Sequence, residues 1–177
     1  MRTTGWLTKG NTVDPPAPRT QSRTSASKGL EGVREVARRD RRARFTALLH
    51  HITPSLLMES FHALRRNAAV GVDGVTWREY GKMLHSRVQA LHRNLHSGAY
   101  RAKPSRRVFI SKRDGKQRPL GIASLEDKIV QQALATVLSS IYEVDFLGFS
   151  YGFRPGRGQH DALDALTVGI TSQKVNW

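Results

Sequence analysis

Residues 106–122 read RRVFISKRDGKQRPLGI, and the interpretation of the whole chain turns on this stretch. Val108, Phe109 and Ile110 form a short run of β-branched and aromatic side chains, the composition of a strand. Asp114-Gly115 follows, a dipeptide that tolerates the positive φ angles of a tight hairpin turn. The chain returns through Gln117, Arg118, Pro119, Leu120 and Ile122. Pro119 has no N–H to donate, so the return strand is expected to lie at an edge. The hairpin carries Arg106, Arg107, Lys112, Arg113, Lys116 and Arg118 against one counter-charge, Asp114. A ribbon this cationic repels itself unless an anion lies against it. Composition leaves two readings open, a solvated basic hairpin and a finger that grips phosphates.

Immediately downstream, Ser124 and Asp127 make an S-x-x-D helix start. The helix expected over 125–142 sets Leu125, Ile129, Val130, Ala133, Leu134, Val137, Leu138, Ile141 and Tyr142 along an apolar stripe. It reads as core, holding the hairpin in fixed relation to the loop that follows. That loop, FSYGFRPGRG over 149–158, alternates aromatic residues with arginines and glycines. Arginine and aromatic side chains together can grip a phosphate and stack on a base. A structured turn with Phe149 and Phe153 packed inward fits the same residues. Residues 159–170 read as another helix, burying Leu163, Leu166 and Ile170.

Taken together, I-x-K-x-D-G-K-x-R-P-L-G-I, then LEDKIVQQAL, then SYGFRPGRGQHDAL resemble, in order and spacing, the fingers region of bacterial group II intron-encoded reverse transcriptase/maturases. The resemblance runs over roughly 45–177. It implies a fold class of α/β, mostly helical with a small antiparallel β-hairpin, the fingers part of a right-hand polymerase with an N-terminal helical extension. It implies three segments: a basic, largely disordered leader over 1–44, the helical extension over 45–98, and truncated fingers over 99–177. It implies that Lys112 and Arg118 hold the triphosphate of an incoming dNTP, where two cations neutralise charge developing on the leaving pyrophosphate. Arg106, Arg107, Arg113, Lys116, Arg154 and Arg157 are its candidates for nucleic-acid contacts, with Gly71, Asp73 and Gly74 of the GVDG loop near the template strand. The implied partners are group II intron RNA and template–primer, and the complete enzyme would use Mg²⁺. The aspartates that hold those ions belong to a strand just beyond VNW and to a YADD-type turn further on. No aspartate pair among Asp40, Asp73, Asp114, Asp127, Asp145, Asp161 and Asp164 substitutes for them. The expectation is therefore a fragment that ends before the palm and ligands no metal. A non-catalytic RNA-binding module or a decayed gene product is the alternative.

Bulk composition points the same way on its own terms. Lys and Arg number 29 against 14 Asp and Glu, a formal net charge of +15, which calls for a polyanionic partner. No apolar run approaches the roughly 20 residues that cross a bilayer, and the N-terminal stretch lacks the apolar core of a secretory signal. Nucleic acid is therefore favoured over a membrane, and a cytoplasmic location is expected. There is no cysteine, hence no disulfide framework and no thiolate metal site.

Further upstream, residues 1–29 are rich in Thr, Ser, Pro, Gly and Arg and are expected to be disordered. Residues 31–44 are Arg-dense, and their apolar spacing is too sparse to assign a helix. Phe45, Leu48, Leu49 and Ile52 sit at helical spacing. Thr53-Pro54 supplies an N-cap and a first-turn proline for a helix that buries Leu57, Phe61 and Leu64. After the GVDG loop, Thr76 and Glu79 form a capping box. The helix it opens, closed by Ser97-Gly98, places Trp77, Tyr80, Leu84, Val88, Leu91 and Leu95 on one face. His92 and His96, four apart on it, lack the third ligand and the glutamate of a zinc motif and read as surface histidines.

Overall fold

The structure, a computed structural model, describes residues 27–172. The expected disorder of residues 1–26 and the last five residues, 173–177, lie outside the described part.

Six α-helices and one hairpin follow in order among the described residues: α1 (Ser27–Arg39), α2 (Pro54–Ala63), α3 (Trp77–Gly81), α4 (Leu84–His96), β1 (Arg106–Ser111), β2 (Gln117–Ile122), α5 (Leu125–Asp145) and α6 (Gln159–Ser172). The class is the expected one, mostly helical with a two-stranded antiparallel hairpin. α5 is the axis. Leu125, Ile129, Ala133, Val137 and Ser140 recur at intervals of three and four and are all buried, and α1 and α2 pack against them. Leu56, Leu57 and Phe61 of α2, with Tyr80, Val88 and Leu91, complete the core. The Trp77 ring stacks on Phe61 at 4.5 Å, and its indole N–H donates to the Phe61 carbonyl at 3.1 Å. That satisfies its one polar atom in a half-buried setting.

The caps read from sequence are present. Thr53 Oγ1 accepts from the Leu56 N–H. Thr76 and Glu79 exchange side-chain-to-backbone bonds as a capping box, and the two bonds from Thr76 hold the Glu79 carboxyl below its ordinary pKa. Ser124 Oγ accepts from the Asp127 N–H.

Several expectations need correction. The Arg-dense segment is helical as far as Arg39, and the helix starts at Ser27, inside the stretch expected to be disordered, because Leu30, Val33 and Ala37, few as they are, fall on one face and are buried. Phe45 to Ile52 does not form an α-helix. Only a 3₁₀ turn, Leu49–His51, occurs there, since Thr53 must be extended ahead of Pro54. The single helix expected after Thr76 is two, broken where Gly81 weakens the first and Met83 leaves the helical region at φ −127°, ψ 34°. The α5 stripe is narrower than expected, because Leu134 and Tyr142 face solvent. α6 forms, but Leu163, Leu166 and Ile170 are exposed. Their periodicity marks the face that favours burial, and nothing among the described residues packs on it.

Candidate nucleic-acid interface

Strands β1 and β2 pair antiparallel, with Val108 opposite Leu120, Ile110 opposite Arg118 and Ser111 opposite Gln117. The turn is not a two-residue turn with both central φ angles positive. The Gly115 N–H bonds the Lys112 carbonyl at 3.1 Å and the Lys112 N–H bonds the Lys116 carbonyl at 2.7 Å. Gly115 alone takes a positive φ, 78°. This is a type I turn closed by a left-handed glycine, the usual three-residue hairpin loop. Asp114 Oδ1 accepts from the Lys116 N–H and braces it.

Residues opposite one another in a sheet point to the same face, and alternate residues share that face. Continuing the register past Ser111 and Gln117 sets Lys112 opposite Lys116. Lys112, Lys116 and Arg118 therefore share one face, with Val108, Ile110 and Leu120 nearer the root. Arg107 projects from the other face with Phe109. Ile110 and Leu120 are about two-fifths exposed, so the cationic end adjoins an aliphatic strip. Such a surface matches a nucleotide, whose phosphates are anionic and whose base has an apolar face. Lys116, which sequence reasoning grouped with the backbone contacts, stands between the two residues assigned to the triphosphate.

The root of the hairpin is fastened differently. Arg106 Nε donates to the Val70 carbonyl at 3.0 Å and Lys128 Nζ to the Ala69 carbonyl at 2.6 Å. Lys103 Nζ pairs with Asp73 Oδ2 at 3.0 Å, and that hydrogen bond raises the lysine pKa. Asp73 Oδ1 accepts from the Val75 N–H. A Cβ on Gly71 would stand 2.6 Å from the Ser124 Cα, so the loop backbone lies directly on the start of α5. Gly74 turns the loop at φ 66°.

These contacts divide the candidate residues. Among the described residues, the side chains of Arg107, Lys112, Arg113, Lys116 and Arg118 make no hydrogen bond or ion pair. Arg106, Gly71, Asp73 and Gly74 build the loop and the hairpin root, a structural role beside the nucleic-acid contacts expected of them. Arg154 is committed to the fold more fully. It is buried, with Nε and Nη2 on Glu143 Oε1 at 3.0 and 2.7 Å and Nη1 on the Leu147 and Ser150 carbonyls. Its guanidinium also covers the Phe146 ring. It organises the loop, with four of its five N–H groups bonded inside the protein. Arg157 is partly committed, lying over Tyr151 and donating to the Gly148 carbonyl. Phe149 and Phe153 do not pack inward, and both rings are exposed.

Elsewhere, a cleft of about 670 Å³ lies between α1, α2 and α5. It sets Arg34 and Arg38 against Glu59 and Glu143, a balanced lining unlike the hairpin. The His92 and His96 rings lie 4.1 Å apart. Burial and the neighbouring imidazole lower the His92 pKa, and His96 Nε2 lies 3.2 Å from the Ile52 carbonyl. Among the described residues no three His, Asp or Glu side chains converge as metal ligands. No described helix is long and apolar enough to cross a membrane.

No protein-family model matches the chain. It is 45% identical over 101 residues to protein YkfC of Escherichia coli, covering 57% of this chain and 26% of that protein. It is 32% identical over 124 residues to the group II intron-encoded protein LtrA of Lactococcus lactis subsp. cremoris, covering 69% of this chain and 21% of LtrA. It is 36% identical over 96 residues to the putative COX1/OXI3 intron 2 protein of Saccharomyces cerevisiae, covering 52% of this chain and 10% of that protein. The chain is thus a homologue of group II intron-encoded proteins. The matched stretches span about a quarter of the length of the first two relatives.

Proposed function

We propose that this segment is the N-terminal helical extension (residues 45–98) and fingers (99–177) of a right-hand, RNA-directed DNA polymerase of the group II intron type. Its hairpin holds the incoming dNTP and lies along template RNA. One observation carries this reading: Lys112, Lys116 and Arg118 share a face at the tip of the hairpin with no internal partner, while Arg106 at its root is committed to the fold. Lys112 and Arg118 hold the triphosphate, Lys116 adds charge between them, and Arg107 and Arg113 contact the RNA backbone. Intron RNA is the proposed partner in the cell. The Mg²⁺ of a complete enzyme supplies charge stabilisation at the reacting phosphate. The described residues offer no set of ligands for it.

The test belongs in a complete protein that carries this segment. Lys112→Ala and Arg118→Ala each remove a charge-assisted contact of roughly 1.5–3 kcal/mol. That lowers kcat/KM for the nucleotide about 10- to 150-fold and leaves primer–template affinity nearly unchanged. Arg118→Lys rescues only partly, because an ammonium does not reproduce a two-pronged guanidinium grip. Unchanged nucleotide kinetics with weakened RNA binding would move these residues to the template path and favour an RNA-binding module.

A further inference from the structure

Phe153 is in the left-handed region at φ 57°, and it is the only non-glycine residue with positive φ among those described. Glycine occupies that region freely, whereas a bulky residue there is an outlier. The side chain gains nothing from its position, since it is 111% exposed. The residue is therefore unfavourable twice over, in its backbone and in an apolar ring surrounded by water. Phe149 is also exposed, but its backbone is ordinary, and an exposed apolar side chain alone needs no explanation.

The neighbours account for how the strain is held. Arg154 is locked to Glu143 and to the Leu147 and Ser150 carbonyls. Gly156 reverses the chain at φ 71°, and the Arg157 N–H returns to the Arg154 carbonyl at 3.3 Å. With position 154 fixed inward, position 153 is turned outward. Over-determined strain that displays a side chain is a mark of function.

We propose that Phe153 is a stacking residue for a base of single-stranded RNA. A free aromatic face is the group on which any base can stack, without regard to sequence. The chain's charge of +15 supplies the attraction that brings a polyanion to it. The proposal rests on the reading of the chain as an RNA-binding segment and adds a named contact outside the hairpin.

The experiment uses the full 177-residue chain. Fluorescence anisotropy measures its affinity for a labelled single-stranded oligouridylate and for an RNA duplex of equal length, at several salt concentrations. Phe153→Gly is expected to weaken single-strand binding about 5- to 150-fold. It should leave the salt slope and duplex affinity unchanged and raise the melting temperature, because it relieves the strain. Phe153→Trp should retain affinity. Phe153→Leu, apolar but without a π-face, should lose it while folding normally. Single-strand affinity unchanged in both Phe153→Gly and Phe153→Leu overturns the proposal. So does a Phe153→Gly change confined to sedimentation, which would mark a protein-docking residue. Steep, salt-dependent binding that ignores Phe153 removes the stacking contact alone. Failure of the unaltered chain to bind RNA at low salt removes the underlying reading as well.

Discussion

The Tyr100 hydroxyl donates to Asp127 Oδ1, tying the segment leaving α4 to the first turn of α5. Asp127 Oδ2 accepts from the Ser124 hydroxyl at 2.6 Å and the Lys103 N–H at 3.2 Å. The carboxylate is therefore the knot that ties the segment leading into the hairpin to the helix start. Burial raises the Tyr100 pKa, and its bond to Asp127 raises it further.

Burial alone would raise the Asp127 pKa. The hydrogen bonds from Ser124, Tyr100 and the Lys103 N–H outweigh it and hold the carboxyl below its ordinary value. A carboxylate with a depressed folded pKa contributes stability that is fully present above its unfolded pKa of about 3.9 and lost as pH falls through the folded value. Unfolding free energy measured in urea should therefore decline below about pH 4. Asp127→Asn, which cannot accept all three bonds, should cost about 2–3 kcal/mol at neutral pH and flatten that decline. An unchanged acid limb in the variant would place the dependence on another group.

Arg154→Ala should destabilise the chain by about 2–4 kcal/mol, since it leaves the Leu147 and Ser150 carbonyls without their donor and Glu143 without its partner. Glu143→Gln should cost less, about 1 kcal/mol, because that side chain is 37% exposed and water replaces part of the pairing. Thermal melts give the order of the two. Limited proteolysis should show cleavage rising within 147–157 in the arginine variant first.

Two glycines of one loop should behave differently. Gly71→Ala drives a Cβ into the α5 backbone and should cost about 1–3 kcal/mol. Gly74→Ala meets open space, so only its φ of 66° opposes the change, at about 1 kcal/mol. Chemical denaturation of both variants checks the ranking, and a costlier change at Gly74 would contradict the close approach at Gly71.

Binding of the chain to single-stranded RNA should weaken with salt, each neutralised phosphate contributing about −0.7 to the slope of log K against log salt. Arg107→Ala and Arg113→Ala should each reduce the slope by about that amount. Arg154→Lys should leave it alone. Titrations at four or more ionic strengths decide the matter, and a flat dependence in the unaltered chain would rule out phosphate gripping as the main term.

What could be read from the chain without its structure was local. Thr53-Pro54, Thr76 with Glu79, and Ser124 with Asp127 mark helix starts because a cap and its partner lie within three residues. The hairpin was readable because its turn and its apolar run are adjacent. The role of Arg154 was not, since its partner Glu143 lies eleven positions back on another element. Nothing in FSYGFRPGRG says which arginine is spent inside and which ring is turned out. α1 was missed because three small or branched apolar residues are enough for a helix that packs on α5, and too few to stand out among arginines.

The nakedness of α6 has a consequence for the order in which the chain comes apart. None of its residues is buried, so its amides are shielded by no more than the opening of the helix itself. A helix of 14 residues is of the length at which isolated helices are marginal in water. Deuterium should therefore enter α6 within moments of dilution, while Ile129, Ala133 and Val137 in α5 should exchange only when the whole body opens. The cooperative unit ends near Gly158, and its last helix fluctuates on its own clock until a surface closes over Leu163, Leu166 and Ile170.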